Sequence, residues 1–179
     1  MNMIRGLSFF GLCLAFVVIA LGAWTRLVDA GLGCPDWPGC YGFVVFPTSE
    51  ADVLLAEQRY PQFPYEIDKA IPEVVHRYFA AFLGFIAILL TVSAFKYKLP
   101  LKIKRLTSFL LLFICCQGVF GYLTVSLKLL PIIVTGHLFG GFTTLSLFFY
   151  LYLSSSDYIK NYQISHLKPL AAIALIALI

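Results

Sequence analysis

The chain has 179 residues, 60% of them hydrophobic and 12% charged, with a formal net charge of +4. Soluble domains carry about twice that charged fraction, so a water-soluble enzyme is excluded and an all-α integral membrane protein is expected. The small positive charge is no nucleic-acid footprint; the expected surroundings are a lipid bilayer, and the placement of charge sets orientation instead.

After a lone Arg5, the first apolar run predicts a spanning helix over about Leu7 to Trp24. Ala20-Leu21-Gly22 would pass as a signal-peptide cleavage site, but a motif described below continues straight out of this run and favours a retained helix. Residues 28–71 form a long loop with seven acids against two bases, Arg59 and Lys69. Its prolines and scattered aromatics predict a folded cap. A second span follows from about Pro72 to Phe95. The connector from Lys96 to Arg105 has five basic residues and no acid. That predicts a cytoplasmic connector, a cytoplasmic N-terminus and an extracytoplasmic 28–71 loop.

A third span covers about Leu106 to Leu127, and a tight turn, Lys128 to Pro131, leads into a fourth over about Ile132 to Leu153. Short connectors imply antiparallel neighbours, so residues 1–153 are expected as an antiparallel, up-down four-helix transmembrane bundle. Residues 154–168 read as a cytoplasmic connector in which His166 is a surface residue. Residues 169–179 read as the start of a fifth transmembrane helix, since a span needs about 20 residues. The chain is therefore expected to be part of a longer protein.

His76 and His137 sit inside two different apolar helices. His76 is four residues past Pro72 and His137 six past Pro131. At about 1.5 Å of rise per residue, both imidazoles fall within roughly 10 Å of the loop-side ends of their helices. Ionisable groups in a membrane are costly and mark function, and two imidazoles at one depth can ligate a haem iron from both faces. The bland alternative is an interhelical hydrogen bond. Gly136, Gly140 and Gly141 flank His137, and Ala80, Ala81 and Gly84 follow His76; they either make room for a flat macrocycle or let helices approach. Glu73 lies on the His76 face, either as a first-turn acid favoured by the helix dipole or as a general base beside a bound group. Arg77 and Arg26 either snorkel to the interface or meet haem propionates.

Cys13, Cys115 and Cys116 lie in apolar runs and read as small buried thiols. Cys34 and Cys40 flank a proline- and glycine-rich stretch on the oxidising side. They are either a structural staple or a labile, exchanging disulfide. With no histidine in that loop, a zinc site is not expected there, and no metal other than haem iron is expected in the chain.

Four segments carry a family resemblance: Gly22-Ala23-Trp24-Thr25-Arg26-Leu27 with Gly31-Leu32, the Cys34 to Cys40 loop, Glu73-Val74-Val75-His76-Arg77, and Thr124 through Pro131 to Val134-Thr135-Gly136-His137-Leu138. They resemble the N-terminal half of haem A synthases of the CtaA type. The resemblance implies an eight-helix protein of the bacterial inner membrane, built of two similar halves. The first would hold the substrate, haem O, and the second, outside this chain, a haem b cofactor. The implied enzyme is an oxidoreductase that takes a ring methyl of haem O to a formyl group, with oxygen from water, giving haem A for cytochrome c oxidase. His76 and His137 would be axial ligands, Glu73 the carboxylate at the reacting methyl, and Cys34 and Cys40 a disulfide. Haem O synthase, cytochrome oxidase assembly factors and a second copy of the chain are candidate partners.

Two other readings stand beside it. A bis-histidine b-type cytochrome that only carries electrons needs the histidines but neither Glu73 nor the cysteine loop. A thiol-oxidising membrane protein needs a second external cysteine pair, and the turn after the third span has none.

Overall fold

The computed structural model describes residues 1–155. Most of the expected connector, His166 and the apolar tail 169–179 lie outside the described residues. The order is α1 (Asn2–Leu27), α2 (Glu50–Arg59), α3 (Ile67–Lys96), α4 (Leu101–Ser126) and α5 (Pro131–Ser154). The long helices have 26, 30, 26 and 24 residues and are apolar enough to cross a membrane. At about 1.5 Å per residue each exceeds the roughly 30 Å hydrocarbon core. The all-helical, multi-pass membrane class expected from composition is borne out.

The spanning helices form a closed ring. α1 packs on α3 and α5, and α4 packs on the same two, leaving α1 opposite α4 and α3 opposite α5. With alternating chain direction, the diagonal partners α3 and α5 run parallel. Their N-terminal ends therefore share the loop end of the bundle.

The apolar core is concentrated at the other end. Ile4, Leu14, Ala15, Leu83, Ile86, Leu90, Ala94, Ile103, Leu110, Phe148 and Leu151 pack there. Beyond Leu110, α4 has no buried residue. Large apolar side chains such as Phe16, Phe85, Val92 and Leu112 cover the outside, as a lipid-facing surface requires. Gly11 lets α1 approach α5, because a Cβ there would collide with the buried Phe148 ring. Overpacking of this kind costs about 1–3 kcal/mol, so Gly11→Val should lower thermal stability in detergent by that amount, read from a thermal unfolding curve.

Helix ends differ from the sequence expectation where tertiary packing overrides local signals. α3 begins at Ile67 and carries Pro72 inside it, although proline usually marks a boundary. The additional turn is retained because Ala70 and Val74 pack into the cap with Cys34, Cys40, Tyr41 and Ala56. The cap also contains α2, opened by Ser49 and Asp52 in a reciprocal capping box. The Ser49 hydrogen bond draws the Asp52 carboxyl below its ordinary range.

Tyr41 is the hub of the cap. Its ring meets Tyr60 and Tyr65 edge-on, with centroids 5.8 and 5.3 Å away, and its hydroxyl donates to the Pro64 carbonyl at 3.0 Å. Burial, then the neighbouring Glu66 charge, push its pKa from 10.0 up to about 12. The neutral phenol is favoured by the fold, so its stabilising contribution is complete below pH 10 and lost as pH rises to about 12. A tyrosinate absorbance titration should show a late step that Tyr41→Phe removes. Cys13, Cys115 and Cys116 correct the sequence reading: all three are exposed on the helical surface, where lipid supplies their apolar surroundings.

Candidate functional site

The parallel diagonal of α3 and α5 brings His76 and His137 together. Their ring centroids are 6.4 Å apart, with the ring planes at 88°. Two opposed metal–imidazole bonds of about 2.0–2.1 Å place ring centres about 6–6.5 Å apart, so the pair stands at the separation that one shared iron requires. The other two helices meet the rings with glycines. A Cβ at Gly22 of α1 would lie 3.0 Å from His76 Nε2, and one at Gly121 of α4 would lie 3.6 Å from His137 Cε1. Any larger residue at Gly22 would press on Nε2 of His76. The apolar core ends below this level, and the backbone of Gly22 and of Gly121 stands against the rings. The residues present fit a planar, metal-centred guest.

The glycines singled out from sequence have other neighbours. Gly136 faces Phe120, Gly140 faces Gln117, Gly141 faces Ile19 and Gly84 faces Ile114. Gly84, Gly136 and Gly141 serve helix approach, Gly140 makes room for the Gln117 side chain, and Gly22 and Gly121 are the residues that face the imidazoles. Among the described residues no group of three or more His, Cys, Asp or Glu forms a metal cage. Among those residues the imidazole pair is the one place where the four spanning helices bring two histidines together.

Glu73 stands where α3 meets the cap, and is 5% exposed. Its Oε2 accepts from the Cys34 backbone N–H at 3.0 Å, and its Oε1 pairs with Arg77 Nη2. Arg77 also donates to the backbone carbonyls of Asp36, at 2.8 Å, and of Gly39. Cys34 and Cys40 form a disulfide, and Asp36 closes the loop by accepting from the Tyr41 and Gly42 N–H groups at 2.6 and 2.8 Å. Gly42 takes a φ of +78°, the left-handed conformation that favours glycine. Trp37 carries the loop onto α4, its ring centroid 6.0 Å from that of Tyr122. Carboxylate, guanidinium and stapled loop are one hydrogen-bonded unit over the histidine end of the bundle.

Arg26 stands apart, largely exposed and 3.6 Å from Asp29. The Arg77 guanidinium is committed to Glu73 and the loop carbonyls, and the sequence had not signalled those partners. Gln117 was also missed. It is an amide in an apolar helix, a residue type that bonds across membrane helices.

Comparison with known proteins gives this geometry a context. Residues 5–179 match the family described as Cytochrome oxidase assembly protein (COX15-CtaA). The chain belongs to that family. Within the Cytochrome oxidase assembly protein family, it is 42% identical over 171 residues to the Heme A synthase of Shewanella oneidensis, covering 94% of this chain and 51% of the relative. The chain thus spans about half the length of the curated relative it matches. No solved structure matches it. The resemblance to the haem A synthase family drawn from the four sequence segments is borne out.

Proposed function

We propose that this chain is the substrate-binding part of a haem A synthase, with His76 and His137 as axial ligands to haem O. The observation that carries the reading is the 6.4 Å imidazole pair on a parallel helix diagonal, in a family whose curated relative is named Heme A synthase. Conversion of a ring methyl to a formyl group takes one oxygen from water and releases four electrons and four protons. Bound haem iron supplies the route by which electrons leave. The protein's tasks are to orient the ring, exclude bulk water and accept protons beside the reacting methyl.

Glu73 is the proton acceptor in this reading. Its ion pair with Arg77 and its bond from Cys34 N–H fix its position in a buried setting, and a general base must be positioned. Arg77 is read as the clamp that fixes both Glu73 and the loop, and Arg26, whose ion pair with Asp29 is exposed, as the cation that meets a propionate at the interface. A haem b cofactor is expected in a second four-helix half, as the resemblance implies. The basic connector at one end and the acidic cap at the other support a bacterial inner-membrane protein with a cytoplasmic N-terminus. Haem O synthase, oxidase assembly factors and a second copy of the chain are the proposed partners.

The test is an optical spectrum and extracted-haem analysis of the purified full-length protein. A bis-histidine low-spin spectrum with haem O or haem A in the extract is expected; a preparation without haem sinks the proposal. The disulfide is read as structural. Closing so short a loop contributes about 2–3 kcal/mol in the chain-entropy account. Cys34→Ser with Cys40→Ser should lower thermal stability by about that much and leave measurable haem A formation. Complete loss of product from a variant that still binds haem would show thiol chemistry instead.

A further inference from the structure

Among the described residues, two buried side-chain atoms find no hydrogen-bond partner: Nδ1 of His137 and Oε1 of Gln117. They stand on facing helices. The α4–α5 seam runs antiparallel through Gly136 against Phe120, Gly121 against His137 and Gly140 against Gln117. Gln117 and Gly121 share one stripe of α4, while His137 and Gly140 share the facing stripe of α5. The amide therefore lies one turn deeper than the imidazole, along the same seam. Gly140 admits it, because a Cβ at that position would collide with the Gln117 side chain.

The two orphans are complementary. An imidazole that ligates through Nε2 carries its proton on Nδ1 and is a donor there, and an amide oxygen is an acceptor. Buried polar groups left unpaired are costly, and one bond would satisfy both. Metal-bound histidines characteristically donate their second N–H to an oxygen that fixes ring orientation and raises ligand basicity.

We propose that Gln117 is the positioning residue for His137, its Oε1 accepting from Nδ1–H so that Nε2 is held toward the haem iron. The inference rests on the reading of His137 as an axial ligand. It adds a residue that touches neither iron nor porphyrin and acts through the ligand. It also explains why α5 carries a glycine at 140, three residues beyond the histidine. That glycine makes the berth for the acceptor.

The experiment loads the full-length protein with haem O and compares wild type with Gln117→Leu, Gln117→Glu and Gly140→Ala. Two readouts are taken: haem retention against an apo-globin scavenger, and the low-spin ferric EPR spectrum. Gln117→Leu removes the acceptor at similar volume, so retention should fall about 10–100-fold, the usual effect of losing such a partner, and the EPR anisotropy should shift. Gln117→Glu keeps an acceptor at the same reach and should restore retention. Gly140→Ala displaces the amide and should copy the leucine variant. Wild-type retention and spectrum in Gln117→Leu would overturn the proposal. So would equal loss in the Leu and Glu variants, which marks packing alone. If Gln117→Leu does not accumulate, Gln117→Glu and Gly140→Ala decide on the same readouts. A His137→Ala protein with an unchanged haem spectrum would remove the axial-ligand reading first, and this inference with it.

Discussion

Replacing His76 with alanine should empty the bundle of haem O and end haem A formation. On the proposed reading the two imidazoles, 6.4 Å apart, act as one clamp, and a single remaining ligand would leave the iron open on one face. Loss of a partner behind a ligand already costs about 10–100-fold in metal affinity, and loss of the ligand itself should exceed that. His137→Ala should behave alike, and the double variant should be no worse than either, because residues that act as a unit are not additive. The measurement is a pyridine haemochrome assay with haem extraction on detergent-purified full-length protein. Haem O should be absent while any haem b in the second half remains. Stoichiometric low-spin haem O in the His76→Ala protein would refute the clamp.

The second large effect is at Glu73. If this carboxylate takes protons beside the reacting methyl, Glu73→Gln should cut the rate of haem A formation about 10²–10⁴-fold, the usual worth of a positioned acid–base group. Haem O should stay bound, since the histidines are intact. Glu73→Ala should add a stability loss of about 1–3 kcal/mol, because it removes the ionic partner of the part-buried Arg77 and leaves the Cys34 N–H without its acceptor. The separation of readouts discriminates between functions. A protein that only carries electrons would keep its haem and its redox cycle in Glu73→Gln. Unimpaired product formation in that variant would dismiss the carboxylate's role.

The spanning helices were legible because a bilayer imposes a length and an apolar composition on each. The imidazole pair was legible too, since alternating helix direction puts the starts of the second and fourth spans at one end. What escaped the sequence depends on neighbours distant along the chain. Pro72 reads as a helix boundary, and only the packing of Ala70 and Val74 into the cap carries the helix back to Ile67. The Ser49–Asp52 capping box was present in the sequence and marks α2, yet a ten-residue polar helix has no hydrophobic period to announce it. Arg77 read either as an interfacial cation or as a propionate partner; besides Glu73, its partners are backbone carbonyls 38 to 41 residues away, which no side-chain pattern encodes. Gln117 gains significance only beside the orphaned nitrogen of His137.

The uneven distribution of the core has a mechanical consequence. From Leu14, Leu83 and Leu110 to the connector end the four helices share one buried apolar cluster, whereas toward the cap they meet through close glycine contacts and the Thr25–Pro72 bond. On the proposed reading the bundle would work as a pair of tongs, with its pivot at the connector end and its jaws at the cap end. Arg77 latches the stapled loop across the jaws. Local opening draws on the least stable part of a fold and spares the rest. On that reading a flat guest would be taken in and handed on by spreading the jaws, while the pivot stays shut.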